Sequence, residues 1–487
     1  MIGRQEILDH AADLGLRPDV VEKDYVLGWL LAGITAHPVI GSTWVFKGGT
    51  CLKKCYFETY RFSEDLDFTV SDPAHLEEAF LTNVFNEIAA WVEERSGIVL
   101  ETACRQFKPY DNHRGGRSCE GRVCYRGPIA PGGALPKIKL DLTNDEHQAL
   151  QPVMRPVHHV YSDRDETLMR VQCYTFEEVF AEKIRALAER QRPRDLYDVI
   201  NLFRREDFKP DRVVMLDVLR AKCAFKAIEL PTAHFIETHP ARTELEADWE
   251  SMLGHQLPAL PVFADFWQAL PLMFQWLYGE VEKLPTAPIP STEPSDTVQE
   301  PVGGYGGVVF AGGAASFRQE YFNVPMDRVR FAAANRLCIN LAYGGKQRLI
   351  EPYSLRRSRA GHLLLMAVKH QTGEARSYRL DRIQGVAVSH VAFTPRYTIE
   401  LNSAGNFPVQ PTTRSGPDPE PNFYSSFGAV RVPRKSRSSY GVKYIYRCPM
   451  CDKTFTRTKM DSKLNPHKDQ FGYPCHGRTG YFEDTRY

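Results

Sequence analysis

Along the first 280 or so residues the spacing of apolar positions switches repeatedly between a helical and a strand period. Residues 5–14 and 21–35 carry apolar side chains three and four apart, which predicts amphipathic helices. A short β-branched and aromatic run at 43–46 predicts a strand, and 50–60 returns to a helical pattern. Residues 65–70 alternate as a half-buried strand does. Further strands are predicted at 98–104, 122–125 and 137–142, then helices at 175–190 and 195–203 and a helical signal over 212–279. Alternation of this kind describes a mixed α/β domain. Residues 325–401 read differently, as one helix followed by a small all-β unit.

Two punctuated stretches separate these regions. Residues 284–307 carry Pro285, Pro288, Pro290, Pro294 and Pro301 and a glycine cluster; residues 402–440 carry Pro408, Pro411, Pro417, Pro419 and Pro421 and a basic end. Neither composition builds a core, so both predict linkers. The expected organisation is an α/β domain at 1–283, a linker at 284–307, a β module at 308–401, a linker at 402–440 and a terminal module at 441–487.

Composition narrows the picture only slightly. With 43% hydrophobic and 25% charged residues the chain is globular, and a net charge of +1 leaves any case for nucleic-acid binding to local patches. No stretch has the length of uncharged apolar residues that a membrane span requires, and the first residues lack a secretory signal pattern. The 11 cysteines are scattered apart from a C-terminal group, which predicts reduced thiols and one metal site rather than a disulfide framework. Together these point to the cytoplasm and to no membrane partner.

The chemistry concentrates in Val45-Phe46-Lys47-Gly48-Gly49-Thr50 and, after a predicted helix, Arg61-Phe62-Ser63-Glu64-Asp65-Leu66-Asp67-Phe68. Two glycines at a strand-to-helix turn let backbone N–H groups approach a phosphate, with a helix N-terminus and the Thr50 hydroxyl beside them. In a strand, residues i and i+2 share a face, so Asp65 and Asp67 present paired carboxylates while Leu66 and Phe68 turn inward. Such a pair calls for a cation, and Mg²⁺ held between carboxylates and substrate phosphates fits. An isolated Asp-x-Asp is more often a solvated strand face; the order strand, Gly-Gly-Thr, helix, Asp-x-Asp strand is what carries specificity. Asp141, on the strand predicted at 137–142, is a further carboxylate that binds metal or takes the proton of an attacking hydroxyl if it reaches the pair. Between 105 and 126, Arg114, Arg117, Arg122 and Arg126 interleave with Phe107, Tyr110 and Tyr125, a pattern that suits an RNA acceptor and equally an ordinary solvated loop.

This passage resembles the nucleotidyltransferase superfold, and specifically the AbiEii/AbiGii-type toxins of type IV toxin-antitoxin and phage-defence systems. Glu22-Lys23-Asp24-Tyr25, Lys47-Gly48-Gly49-Thr50, Arg61-x-Ser63-Glu64-Asp65-x-Asp67, Glu177-Glu178, Lys183 and Arg194-Asp195-Leu196-Tyr197-Asp198 all resemble family motifs. The resemblance implies a polymerase-β-like core with a helical C-terminal part. It implies that Gly48, Gly49 and Thr50 hold the phosphates of a nucleoside triphosphate, Asp65 and Asp67 bind Mg²⁺, Lys183 contacts the triphosphate and Asp195 completes the pocket. It further implies transfer of a nucleoside monophosphate to RNA, tRNA foremost, and a cognate antitoxin. Taken on their own, Lys183 could be a surface lysine and Arg194-Asp195 a helix cap.

Residues 348–355, 363–368 and 375–383 resemble the WYL domain, an SH3- or Sm-like barrel, with Leu363-Leu364-Leu365 standing where the naming Trp-Tyr-Leu would fall. Arg376 and Arg379 are its candidate nucleic-acid contacts. In the last module Cys448-Pro449-Met450-Cys451 is a knuckle that Cys475 and one histidine, His467 or His476, would close around a structural Zn²⁺. Two other readings stand beside the RNA-modifying enzyme: a nucleic-acid-binding or ligand-sensing regulator built on the two C-terminal modules, and transfer of the nucleotide to a protein.

Overall fold

The computed structural model of the protein describes residues 1–57, 60–111, 115–129, 134–165, 167–206, 208–283, 286–290, 325–358 and 362–401, and, nearer the C-terminus, 443–448, 451, 453–457, 462–465, 467–468, 474–475, 479 and 481–486. The chain forms two compact units, Met1–Thr413 and Arg414–Tyr487.

The first unit opens with α1 (Arg4–Leu14) and α2 (Pro18–Ala36). Pro18 sits in the first turn of α2, where its missing N–H costs nothing, and the helix is then buried on nearly every face from Val20 to Ile34. Next come β1 (Trp44–Lys47), a single helical turn α3 (Gly48–Cys51) that widens into a π turn at Leu52–Tyr56, and β2 (Asp65–Val70). The helix expected over 50–60 is therefore shorter: Phe57 N–H bonds back to Leu52 C=O at 2.8 Å, ending it. After α4 (Glu78–Ser96) the chain adds β3 (Val99–Asp111), β4 (Arg117–Arg126), β5 (Lys137–Thr143), β6 (Val153–Pro156) and β7 (Arg170–Cys173). These strands form one seven-stranded mixed sheet in the order β3-β4-β5-β2-β1-β7-β6. The basic segment, for which a solvated loop is one of two readings, is mostly a long β3–β4 hairpin, and β6 and β7, each only four residues long, have no counterpart among the expected strands.

Helices α5 (Phe176–Arg190), α6 (Pro193–Arg204) and α7 (Arg212–Lys226) follow, then the short α8 (Ala233–Thr238), α9 (Arg242–Ala247), α10 (Trp249–Leu253), α11 (Phe263–Trp267) and α12 (Leu270–Leu277). Thr175 and Asp211 cap α5 and α7 through their side chains, accepting from Glu178 N–H and from Val213 and Val214 N–H. Beyond α13 (Met326–Ala334) lie β8 (Leu337–Tyr343), β9 (Lys346–Arg357), β10 (Leu363–Lys369), β11 (Ala375–Arg379) and β12 (Ile383–Ala392), a five-stranded sheet ordered β11-β10-β9-β8-β12. Gly344 and Gly345, at φ 56° and 71°, make the two-residue β8–β9 turn that requires left-handed backbone at both positions.

One continuous apolar core joins this sheet to the α/β part. Polar contacts lock the join: Arg328 donates to Ala12 and Asp13 C=O at the end of α1, and Tyr197 OH on α6 donates to Asn335 Oδ1 at 2.7 Å. Thr286–Pro290, in the stretch read as a linker, also pack here, with Thr398 N–H bonded to Ala287 C=O and Ile289 buried.

One cysteine expectation is corrected. Cys104, in the irregular stretch of β3, and Cys124 on β4 are joined as a disulfide, so the thiols are not all reduced. Among the described residues no helix is long and apolar enough to cross a membrane. The second unit contains β13 (Lys443–Arg447), β14 (Thr454–Arg457), β15 (His467–Lys468), β16 (Pro474–Cys475) and β17 (Tyr481–Arg486), paired as β14-β13-β17 and β15-β16.

Candidate active site

The sheet register assembles the site. Lys47 on β1 is opposite Asp67 on β2, Asp67 is opposite Asp141 on β5, and Asp141 is opposite Glu120 on β4. One step along, Asp65 is opposite Lys139 and Lys139 opposite Arg122. Because alternate residues share a face, an acidic row, Asp67-Asp141-Glu120, lies beside a mixed row, Asp65-Lys139-Arg122. Leu66, between the carboxylates, and Phe68, after them, are fully buried, as the alternation predicted.

The Gly-Gly turn fits closely under this row. Gly48 adopts φ 82°, and a Cβ there would lie 2.1 Å from Asp67 Oδ2; a Cβ on Gly49 would lie 2.6 Å from Arg61 Nη2. Gly48→Ala is therefore expected to displace Asp67 as well as to incur the left-handed backbone cost of about 1–2 kcal/mol. The expected result is loss of nucleotide transfer larger than the loss of stability, measured by label transfer beside urea unfolding. The buried Thr50 hydroxyl donates to Asp65 C=O at 2.5 Å and so ties the turn to the carboxylate strand.

Burial pushes Asp67 up to about 6, reinforced by Asp141 and Asp65 and opposed by Lys47. Asp141 is raised for the same reasons, by burial and then by Asp65 and Glu120. Carboxylates so arranged relax by sharing a cation. Lys47, which the sequence reading gave no role, is buried. Burial disfavours its charge, but Glu146 and Glu182, at 3.5 and 3.6 Å, outweigh that and hold its pKa above the usual lysine value.

Lys183 and Asp195 belong to a second cluster. Lys183 Nζ lies 2.9 Å from Asp198 Oδ2 and 3.7 Å from Asp195 Oδ1. Asp195, in the first turn of α6, accepts from Arg190 Nε and Nη2 at 2.7 and 2.9 Å. Burial opposes its ionisation, yet Arg190 and Lys183 hold its pKa low. Asp198 accepts from Arg61 Nε and Nη2, both at 2.7 Å, and from Tyr60 OH at 2.8 Å. The α6 motif thus grips the Arg61 loop that leads into β2, a function that spacing alone could not reveal.

A cleft of about 540 Å³ opens beside Asp65, lined by Lys23, Glu64, Arg122, Lys137, Lys139, Arg194 and His255 among others. Of the arginines proposed for RNA, Arg122 lines it. Arg117 pairs with Asp111 and Glu77, Arg126 pairs with Glu101, and Arg114 lies outside the described residues. Arg376 pairs with Glu374, and Arg379 is held bidentately by Asp381. Lys137 and Lys139 were missed, although they alternate with Ile138 and Leu140 on the strand that carries Asp141.

In the second unit Cys448, Cys451, His467 and Cys475 bring their ligand atoms within 4.8 Å of one another. Cys448 Sγ and Cys475 Sγ are 3.7 Å apart, and Cys451 Sγ is 3.3 Å from His467 Nε2, whose Nδ1 bonds to Asn465 C=O. His476, the rival ligand, lies outside the described residues.

The family model for the nucleotidyl transferase AbiEii toxin of type IV toxin-antitoxin systems matches residues 29–271, and that for the WYL domain matches residues 326–388. Among solved structures, MenT4, a nucleotidyltransferase toxin from Mycobacterium tuberculosis H37Rv, is 18% identical, with 57% of this chain and 90% of that chain covered at a TM-score of 0.41. JHP933 from Helicobacter pylori is also 18% identical, with 54% of this chain and 94% of that chain covered at a TM-score of 0.36. No curated protein matches.

Proposed function

Because residues 29–271 are a nucleotidyltransferase domain of the AbiEii toxin family and residues 326–388 a WYL domain, we propose that the protein transfers a nucleoside monophosphate from a nucleoside triphosphate to RNA, with tRNA the foremost acceptor. The observation that carries this reading is the register that sets Asp67 opposite Asp141 and Asp65 opposite Lys139, itself opposite Arg122, with Asp65, Lys139 and Arg122 lining one cleft. Asp65, Asp67 and Asp141 are hard oxygen ligands on adjacent strands whose charges repel one another, and on binding they would hold Mg²⁺, which neutralises the triphosphate and the departing pyrophosphate. Gly48 and Gly49 leave the backbone bare for phosphate beside Asp67. Arg122, Lys137, Lys139 and Arg194 supply the cations that a polyanionic acceptor needs. The type IV system to which the family belongs supplies an antitoxin partner, and the cytoplasm is where such an acceptor is met.

The test is incubation of the purified protein and Mg²⁺ with each α-labelled nucleoside triphosphate and total bacterial RNA. Label in RNA with the unaltered chain and not with Asp65→Ala/Asp67→Ala supports the reading. Label on polypeptide instead moves the acceptor to protein, and no label with any donor favours a regulator.

Three thiols and an imidazole are the donor set of a structural zinc site, and we assign Cys448, Cys451, His467 and Cys475 to that ion. The small core around it, Tyr446, Leu464 and these cysteines, cannot hold a fold by apolar burial alone. Chelation is expected to abolish protease resistance of residues 443–486 while leaving Met1–Thr413 intact; an unchanged digestion pattern of the C-terminal unit would refute the assignment.

A further inference from the structure

Cys51, Cys55 and Cys173 place their Sγ atoms within 4.8 Å of one another, and all three side chains are buried. Three separate backbone positions converge here. Cys51, the residue after Thr50, ends the helical turn, Cys55 sits in the π turn, and Cys173 ends β7, where it pairs with Phe46 of β1. A core site that only asks for a small apolar side chain accepts alanine or valine, whereas three converging thiols are a soft donor set. A fixed cation flanks them: Arg155 Nε donates to Cys55 C=O at 2.8 Å, and its guanidinium lies 4.3 Å over the Tyr56 ring.

The geometry points to a further metal site: we propose that Cys51, Cys55 and Cys173 bind a single soft cation of the copper(I) class in trigonal, all-sulfur coordination. Zinc prefers four ligands and the cluster offers three, all buried; a hard ion such as Mg²⁺ prefers oxygen. On binding, three S–H bonds give way to three metal–sulfur bonds and the protons leave to solvent, with no change of oxidation state. Arg155 offsets part of the negative charge so formed. The bound ion would tie the residue after Thr50 to β7, fixing the Gly-Gly turn from behind. The proposal does not rest on the transferase reading.

The test is anaerobic titration of the full-length, reduced, metal-free protein with copper(I) against a chromophoric competitor, beside Cys173→Ala and Cys55→Ala. Because the C-terminal cysteines are soft donors as well, the difference between proteins is what counts. The wild type is expected to take up one equivalent more than either variant, with X-ray absorption of that extra ion showing three sulfur neighbours. Thermal unfolding of the metal-free proteins identifies a variant that does not fold, and the other then carries the comparison. Equal uptake by the wild type and a folded variant, or fewer than three sulfurs around the extra ion, overturns the proposal.

Discussion

Asp67→Asn is expected to lower nucleotide transfer by about 100- to 1000-fold, roughly 3–4 kcal/mol of transition-state stabilisation, while leaving the fold intact. The side chain keeps its shape, so contacts beneath Gly48 survive, but the charge that pairs with a metal is gone. A companion result separates metal binding from chemistry. Without metal, burial and Asp141 hold the Asp67 carboxyl at about 6, above its ordinary 3.8. A carboxyl raised on folding binds its proton more tightly in the native state, so the metal-free fold loses stability as pH rises from about 4 through 6. Mg²⁺ replaces that proton. The Mg²⁺-induced rise in melting temperature is therefore expected to be large at pH 8 and small at pH 5 in the wild type, and reduced at both in Asp67→Asn. Transfer at the wild-type rate by Asp67→Asn, or a Mg²⁺ shift independent of pH, would rule out Asp67 as a metal ligand.

The parts of this site that the sequence made legible are those whose chemistry and position are fixed locally. Period-2 alternation alone places Asp65 and Asp67 on one face, and the glycine pair is adjacent in the chain. The matching of Asp67 to Asp141 required the β2–β5 register, which is non-local, so Asp141 could only be named as a candidate. Lys47 shows the limit more sharply. It sits within the recognised motif, yet its role depends on Glu146 and Glu182, distant in sequence. Arginines chosen by their clustering fared unevenly because strand pairing, not composition, decides their partners. Arg117 and Arg126 are taken up by neighbouring acids, while Lys139, chosen by no pattern, shares a row with Asp65. The mortise between the WYL domain and α6 through Tyr197 and Asn335 joins residues 138 apart and was equally invisible.

The α6 motif is expected to act first on stability. Asp198→Ala leaves the buried Arg61 guanidinium without its bidentate partner and removes the near contact of Lys183, and a buried pair broken from one side costs about 3–5 kcal/mol. Urea unfolding of Asp198→Ala measures this directly, and a loss under about 1 kcal/mol would show that Asp198 is not the anchor its geometry implies. The pH dependence has a definite sign. Burial alone would raise the Asp198 carboxyl, but Arg61 and Lys183 prevail and hold it well below the usual carboxylate range. A carboxyl lowered on folding contributes stability that is complete above its unfolded value, about 4, and is lost as pH falls below it. The difference in stability between wild type and Asp198→Ala should therefore be constant from pH 6 to 8 and shrink on acidification. Transfer activity distinguishes the two carboxylate groups: Asp198→Ala should recover much of its rate at low temperature, where the fold is retained, whereas Asp67→Asn should not, because one variant loosens the frame and the other removes a ligand from it.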